Sequence, residues 1–196
     1  MEPLRLAVLG SGKGSNFIAI QRAIEDGEIN ARIILVVSDN PEAGILARAR
    51  EFDLPAVLLP TGKYKTKLEP EIETNLAKLL LNERIELVVL AGYMRVVKAP
   101  LLDAFPDRII NIHPSLLPKF KGLEAWRQAL EAGETTTGCT VHFVNADLDA
   151  GRIIAQREVP VLPDDTAESL HTRIQSAEHQ LYPWVVKSLV GEMRTL

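Results

Sequence analysis

Short apolar runs alternate with helical stripes along most of the chain. Seven runs rich in valine, isoleucine and leucine predict β-strands, and one of them, ELVVLAG, is so uniformly apolar that both of its faces are expected to be buried. Between the runs, apolar residues recur every three or four positions, as in SNFIAIQRAIE, which predicts helices. The predicted strands are 4–10, 31–38, 55–60, 86–92, 108–113, 137–144 and 151–161. The predicted helices are 15–28, 39–52, 64–82, 124–133 and 166–190.

Polar residues, glycines and prolines mark the expected helix ends. Ser15 is expected to cap the first helix, and Gly27 is expected to end it. Asp39 or Asn40 is expected to cap the second helix. Pro183 is expected to kink or break the last helix, because proline lacks a backbone N–H and clashes with the preceding turn.

The order of these elements predicts the fold class. Strand–helix alternation is typical of an α/β protein with a single doubly wound, mostly parallel, Rossmann-like sheet and flanking helices. The last two strands are expected to add to the sheet in antiparallel fashion in the C-terminal part. No linker-like stretch interrupts the pattern, so residues 1–196 are interpreted as one domain. Ligands of such sheets bind at the carboxyl ends of the strands, which makes 10–16, 92–96 and 111–115 candidate site segments.

Composition and charge exclude several classes of protein. The net charge of −4 argues against a main role in binding nucleic acid. No apolar run approaches the ~18 residues that a membrane span requires, and the N-terminus MEPLRLAVLG lacks the pattern of a secretory signal. The single cysteine, Cys139, cannot form an internal disulfide, so the cytoplasm is the expected compartment.

A glycine-containing loop, GSGKGSN, joins the first strand to the first helix. Glycines followed by a helix N-terminus direct backbone N–H groups at an anion, and Ser15 and Asn16 add polar side chains. The loop fits neither the dinucleotide fingerprint, because Ser15 replaces the third glycine, nor a Walker loop, because Gly14 separates Lys13 from Ser15. A single phosphate monoester is the simpler prediction.

The segment INIHPSLLPKFKG places Asn111 and His113 two positions apart at the end of a predicted strand, so both side chains share one face. Asp149 lies in the turn NADLDAG. An amide donor, an imidazole and a carboxylate are together suited to acyl transfer with acid–base assistance. No Gly-x-Ser-x-Gly motif is present, and Cys139 shows no sign of activation, so direct attack by a substrate amine is favoured over a covalent enzyme intermediate.

The histidines do not predict a metal site. The chain has four of them, and none shows HExxH or paired i, i+4 spacing. We therefore expect no metal cofactor.

Five segments in order, SGKGSN, AGYMRVV, INIHPSLLPKFKG, TGCTVHFVNADLDAG and AEHQLYP, resemble the phosphoribosylglycinamide formyltransferases, folate-dependent enzymes of purine synthesis. The resemblance extends from residue 4 to about residue 190. It implies that the amino group of glycinamide ribonucleotide attacks the formyl carbon of 10-formyltetrahydrofolate. It also implies that Asn111 and His113 stabilise a tetrahedral oxyanion, and that Asp149 positions a water and helps to move protons.

The resemblance implies two binding regions as well. Gly14, Ser15 and Asn16 would hold the substrate phosphate, and Glu178 would contact the ribose. His142, one strand away from the catalytic residues, would support them without touching the substrate. The folate would lie against two segments, with the residues Met94, Arg95, Val96, Val97, Val144, Asp147 and Asp149.

The chain departs from the family pattern after KFKG, where some members carry histidines and this sequence has Glu124 and Trp126.

Three other interpretations of the function stay open. A formyltetrahydrofolate deformylase would use water in place of the amine, and that family usually carries an extra N-terminal domain. A methionyl-tRNA formyltransferase would need a basic C-terminal domain, and a non-catalytic folate- or phosphate-binding module would leave the three polar residues idle. A homodimer is compatible with the sequence, which does not fix the oligomeric state.

Overall fold

A computed structural model describes residues 2–60 and 62–195 of the chain. Within these residues, seven strands form one sheet in the order β3-β2-β1-β4-β5-β6-β7. Neighbours from β3 to β5 pair in parallel, whereas β6 and β7 add antiparallel. The predicted fold class is therefore confirmed. The strands are β1 (Leu4–Leu9), β2 (Ala31–Ser38), β3 (Ala56–Leu58), β4 (Leu87–Leu90), β5 (Ile109–His113), β6 (Thr136–Phe143) and β7 (Ile153–Pro160).

Helices cover both faces of the sheet and bury the apolar residues of the parallel strands. Along β1, Leu6 and Val8 pack into the core beneath one group of helices, while Ala7 and Leu9 pack into the core beneath the other. This alternation explains why the central strands are apolar at every position. The helices are α1 (Ser15–Glu25), α2 (Gly44–Glu51), α3 (Pro70–Asn82), α4 (Ala99–Ala104), α5 (Ala125–Glu131) and α6 (Ala167–Thr195).

The strand order reverses between β1 and β4. The chain moves outward from β1 through β2 to β3, then returns to place β4 on the other side of β1 and continues outward to β5. A crevice outside the carboxyl ends of two such strands is the usual ligand site of a doubly wound sheet. The loops after β1, β4 and β5 therefore share the expected edge of the sheet.

Several predicted helix boundaries are wrong. Ser15 is the first residue of α1 rather than its cap; the cap position belongs to Gly14, in the left-handed conformation with φ 82°. Gly27, with φ 75°, follows the end of α1 as predicted. The second helix begins only at Gly44, so neither Asp39 nor Asn40 caps it.

Other differences concern helix extent. The predicted helix over 64–82 starts only at Pro70, because proline occupies the first helical position and the segment before it pairs with Val96. Helix α4 was not predicted. Helix α6 runs through Pro183 without a break, so the expected interruption is wrong. No helix in the part of the chain that the structure describes is both long enough and apolar enough to cross a membrane.

Candidate active site

Three predicted catalytic residues meet at the end of β5. Asn111 and His113 lie on this strand, opposite His142 and Thr140 of β6 respectively. His113 is buried, and its Nδ1 lies 3.4 Å from Oδ2 of Asp149. The antiparallel addition of β6 thus brings residues separated by more than thirty positions into one cluster.

The turn after His113 is fixed by buried hydroxyl groups. The Ser115 N–H donates to the His113 carbonyl at 2.9 Å, and its hydroxyl donates to the Lys119 carbonyl at 2.6 Å. The Thr140 hydroxyl donates to the Ser115 carbonyl at 2.7 Å and accepts the Leu117 N–H at 3.0 Å. These bonds hold the turn against β6 and so limit where the His113 ring can lie.

One nitrogen of His113 is committed to the backbone. Its Nε2 lies 2.8 Å from the Phe120 carbonyl, which can only accept, so Nε2 carries a proton. Because Nδ1 faces the Asp149 carboxylate, a protonated His113 can pair with it.

His142 is a neutral histidine with a defined tautomer. Its Nδ1 lies 2.8 Å from the Phe143 carbonyl and so donates, which leaves Nε2 to accept from the Asn111 amide at 3.3 Å. Burial lowers the pKa of His142 and outweighs the opposing effects of the Phe143 carbonyl and the Asp149 charge. The Asn111 amide is therefore oriented by His142, and its second N–H remains for a ligand.

Asp149 is held in place by its loop. Its backbone has φ 46°, and its Oδ2 accepts the Gly122 N–H at 2.9 Å. Its Oδ1 lies 3.7 Å from Nε2 of His142. The nearby Gly151 cannot be replaced without a shift, because a Cβ there would stand 1.7 Å from the Phe143 carbonyl oxygen. The turn therefore places one carboxylate between two imidazoles.

The glycine loop is braced by α2. The Ile45 N–H donates to the Gly12 carbonyl at 3.0 Å, and a Cβ on Gly14 would stand 2.9 Å from the Ile45 Cα. No side chain caps α1, and its first intrahelical N–H donor is Ile18. The N–H groups at the start of the helix are thus free of intrahelical partners, as an anion site requires.

A buried contact ties this loop to the last helix. The Asn16 amide donates to Glu178 at 2.8 Å, although the two residues are 162 positions apart. Burial raises the pKa of Glu178 to about 7, and the Asn16 hydrogen bond only partly offsets this effect. The Oδ1 atom of Asn16 is buried and has no hydrogen-bond partner in the structure.

The predicted folate-binding residues lie at two loops near this edge. Met94 is 57% exposed, whereas Val97 packs into the core. The Arg95 side chain turns inward and pairs with Asp39. On the second loop, Val144 packs against the core and Asp147 is exposed. Val96 is half-buried and bonded through its N–H to the Thr66 carbonyl at 2.8 Å.

The two residues that depart from the family pattern lie beside α5. Glu124, with φ 52°, caps the helix and pairs with Arg127 at 3.3 Å. Trp126 stacks on His171 of α6, with ring centroids 3.7 Å apart and planes inclined by 2°. Among the described residues, no group of three or more histidine, cysteine, aspartate or glutamate side chains could hold a metal ion.

The contacts of Asp39 are not predicted by the sequence. This residue is buried and accepts hydrogen bonds from Ser11 and Arg95. Its partners follow other strands, so its position after β2 by itself predicts only a helix cap.

Comparison with known proteins agrees with this fold. The family described as Formyl transferase matches residues 4–186. The chain therefore belongs to the formyl transferase family, and it is an enzyme of the formyltransferase class.

Individual similar proteins show which group within this family the chain belongs to. Phosphoribosylglycinamide formyltransferase of Bacillus subtilis (strain 168) is 42% identical over 95% of this chain and 95% of its own length. The solved glycinamide ribonucleotide transformylase 1 from Symbiobacterium toebii is 46% identical, covers 97% of this chain and 89% of its own, and has a TM-score of 0.93. Within the family, the chain is thus a member of the phosphoribosylglycinamide formyltransferases, which confirms the resemblance.

The chain also matches one part of much longer proteins. The trifunctional purine biosynthetic protein adenosine-3 of Drosophila melanogaster is 44% identical over 95% of this chain, but the chain spans only 14% of that protein. The similarity therefore concerns one segment of the trifunctional protein.

Proposed function

We propose that this enzyme transfers the formyl group of 10-formyltetrahydrofolate to the amino group of glycinamide ribonucleotide, a step of de novo purine biosynthesis. The observation that carries the proposal is the cluster of Asn111, His113 and Asp149, which lies at the same edge of the sheet as the glycine loop. The names of the similar proteins support formyl transfer as the reaction and glycinamide ribonucleotide as the acceptor.

The spacing of the strands suits this acceptor. The glycine loop follows β1 and the cluster follows β5, with β4 between them. Neighbouring strands lie about 5 Å apart, so β1 and β5 are separated by about 10 Å. A phosphate held at Gly14, Ser15 and Asn16 would therefore leave room for a ribose, next to Glu178, before the amine reaches His113.

The reaction follows from the hydrogen-bonding capacity of the cluster. The amine nitrogen forms a bond to the formyl carbon, and the carbonyl electrons move to an oxyanion that the free Asn111 N–H and a protonated His113 Nδ1 stabilise. The intermediate then collapses, the bond from carbon to N10 breaks, and the amine proton passes to N10 by way of Asp149 and a water. The chain supplies donors and a proton relay and forms no covalent bond to substrate.

The folate would lie between the Met94–Val97 segment and the loop that ends at Asp149. Because the side chains of Arg95 and Val97 are directed inward, the backbone of this segment would read the polar edge of the heterocycle. Exposed Met94 would cover one face of it. No metal is needed for the proposed step.

We also propose that the enzyme is located in the cytoplasm and that it forms a homodimer. The buried thiol of Cys139 suits a reducing compartment. The assembly is tested by sedimentation velocity, where a dimer is expected and a single monomeric species at micromolar concentration would contradict it.

The proposal is tested by following the formyl carbon itself. The protein is incubated with 10-formyltetrahydrofolate labelled with ¹³C at the formyl group, with glycinamide ribonucleotide present, and the products are observed by NMR. We expect the label in a new amide on the ribonucleotide. Label recovered as formate would instead support the deformylase alternative.

A further inference from the structure

A buried charge links the ends of three strands. Asp39 follows β2, and its two carboxylate oxygens accept from different partners: Oδ1 from the hydroxyl of Ser11, after β1, and Oδ2 from Nε of Arg95, after β4. The Arg95 side chain is 11% exposed and that of Asp39 6%. The pair is therefore largely removed from water, and a buried ion pair is screened much less than an exposed one.

This network reaches both proposed binding regions. The Ser11 hydroxyl donates to Asp39 and accepts the Met94 N–H at 2.9 Å, so a residue of the glycine loop bonds directly to the folate segment. The Ser11 N–H donates to the Gly92 carbonyl at 3.0 Å. The Asn40 amide donates to the Ser11 carbonyl at 3.1 Å.

The network also anchors a more distant loop. Arg95 donates through Nη1 to the Tyr64 carbonyl, and the Val96 N–H donates to the Thr66 carbonyl at 2.8 Å. The loop before α3 is thereby attached to the folate segment. One carboxylate at Asp39 fixes the positions of the backbone on both sides of the crevice.

We infer that Asp39 is a positioning residue that couples the phosphate-binding loop to the folate-binding segment. The inference rests on the proposed function, because it takes its two regions from there. Asp39 touches neither substrate in this account. It acts through Ser11 on one side and Arg95 on the other.

Replacement of Asp39 by asparagine isolates this role. The asparagine oxygen can still accept from Ser11, but its amide nitrogen then faces Arg95 Nε, and two donors cannot bond. The buried guanidinium loses its charge partner, which loosens the backbone of both regions. The enzyme then binds both substrates less tightly, and it does so equally in the ground state and in the transition state. KM therefore rises while kcat stays nearly unchanged.

The test is steady-state kinetics of Asp39→Asn, in which each substrate is varied while the other is kept at a saturating concentration. We expect both KM values to rise roughly tenfold while kcat falls less than about threefold. The matched control is Glu86→Gln, which breaks the ion pair of Glu86 with Arg194 just before β4, at the opposite edge of the sheet. The control should leave both KM values within about twofold of the wild type.

A change in only one KM, or equal changes in Asp39→Asn and Glu86→Gln, would overturn the inference. If Asp39→Asn does not fold, the double variant Asp39→Asn/Arg95→Gln removes the unpaired buried charge and is expected to show the same rise in both KM values. Normal KM values in a folded double variant would also overturn it.

A second readout measures the coupling directly. Tetrahydrofolate is titrated calorimetrically into the wild type and the variant, with and without glycinamide ribonucleotide. The ribonucleotide should tighten tetrahydrofolate binding roughly fivefold in the wild type and have almost no effect in Asp39→Asn. Equal tightening in both would contradict the coupling. A wild type that does not formylate the ribonucleotide at all would reject the proposed function itself, which separates the two failures.

Discussion

At the scale of single residues, the site distinguishes its two histidines by their hydrogen bonds. His142 is neutral and accepts from Asn111, whereas His113 commits Nε2 to the Phe120 carbonyl and turns Nδ1 toward Asp149. The contact of His113 with Asp149 supports the proposal that His113 assists the formyl oxygen.

Replacement of His113 tests this assignment. We expect His113→Ala to lower kcat roughly 10²–10⁴-fold, because the developing oxyanion loses a donor. The fold should survive, as judged by far-ultraviolet circular dichroism and the unfolding midpoint. The control is His171→Ala, which removes an imidazole that stacks on Trp126, outside the cluster. Comparable activity in the two variants would remove His113 from the mechanism.

Glu178 gives a pH-dependent prediction. Its pKa is raised by burial to about 7, so the folded state holds its proton more tightly than the unfolded state does. Stability from this group is therefore fully present below the ordinary carboxyl pKa and is lost as the pH rises through 7. Glu178→Gln keeps an acceptor for Asn16 and removes the titration.

The measurement is the difference in free energy of unfolding between wild type and Glu178→Gln, determined by urea titration from pH 5 to pH 8. The difference isolates Glu178 from His142, His171 and His179, because burial lowers the pKa of each of these histidines and so acts on stability in the opposite direction. We expect the variant to gain stability relative to the wild type as the pH rises. A constant difference across this range would show that Glu178 does not titrate there.

At the scale of elements, the glycine loop depends on its contact with α2. Gly14 has φ 82°, and a Cβ would stand 2.9 Å from the Ile45 Cα, so alanine is disfavoured by both conformation and space. We expect Gly14→Ala to lower the free energy of unfolding by roughly 1–3 kcal/mol and to raise KM for glycinamide ribonucleotide. Chemical denaturation and steady-state kinetics measure the two effects.

Gly12→Ala is the matched control for stability. A Cβ at Gly12 would have nothing within 4 Å, and its φ lies outside the strained range. Its free energy of unfolding should stay within about 0.5 kcal/mol of the wild type. An equal loss of unfolding free energy in the two variants would contradict the proposed packing of the loop against α2.

Elements were predictable where their cause is local. All seven strands follow from apolar runs, and Gly27 was identified as a stop because glycine adopts a positive φ easily. Asp39 was misread as a cap because its partners, Ser11 and Arg95, come from other strands. Helix α4 was missed because it is only six residues long and contains a proline. Helix α6 continues past Pro183 because packing against the core outweighs one lost hydrogen bond.

The site was predictable only in part for the same reason. Asn111 and His113 share a face by strand geometry alone. The contact of Asn16 with Glu178 spans 162 positions, and the inward turn of Arg95 depends on Asp39, so neither follows from a local pattern. The roles of these residues toward substrate remain proposals.

At the scale of the whole molecule, the strand order brings the two halves of the reaction together. The proposed phosphate loop follows β1, the proposed folate segment follows β4, and Asn111 and His113 end β5, so three neighbouring strands present their carboxyl ends to one crevice. Antiparallel β6 and its loop then add Asp149 from the side. The acceptor amine and the formyl donor would meet above β5.

The central claim is that the formyl group is released to an amine and not to water. The most direct measurement follows the release of tetrahydrofolate from 10-formyltetrahydrofolate by absorbance, with and without glycinamide ribonucleotide. We predict a rate that rises and saturates with the ribonucleotide and is close to the uncatalysed background without it. Release at an equal rate in the absence of the ribonucleotide would contradict the account.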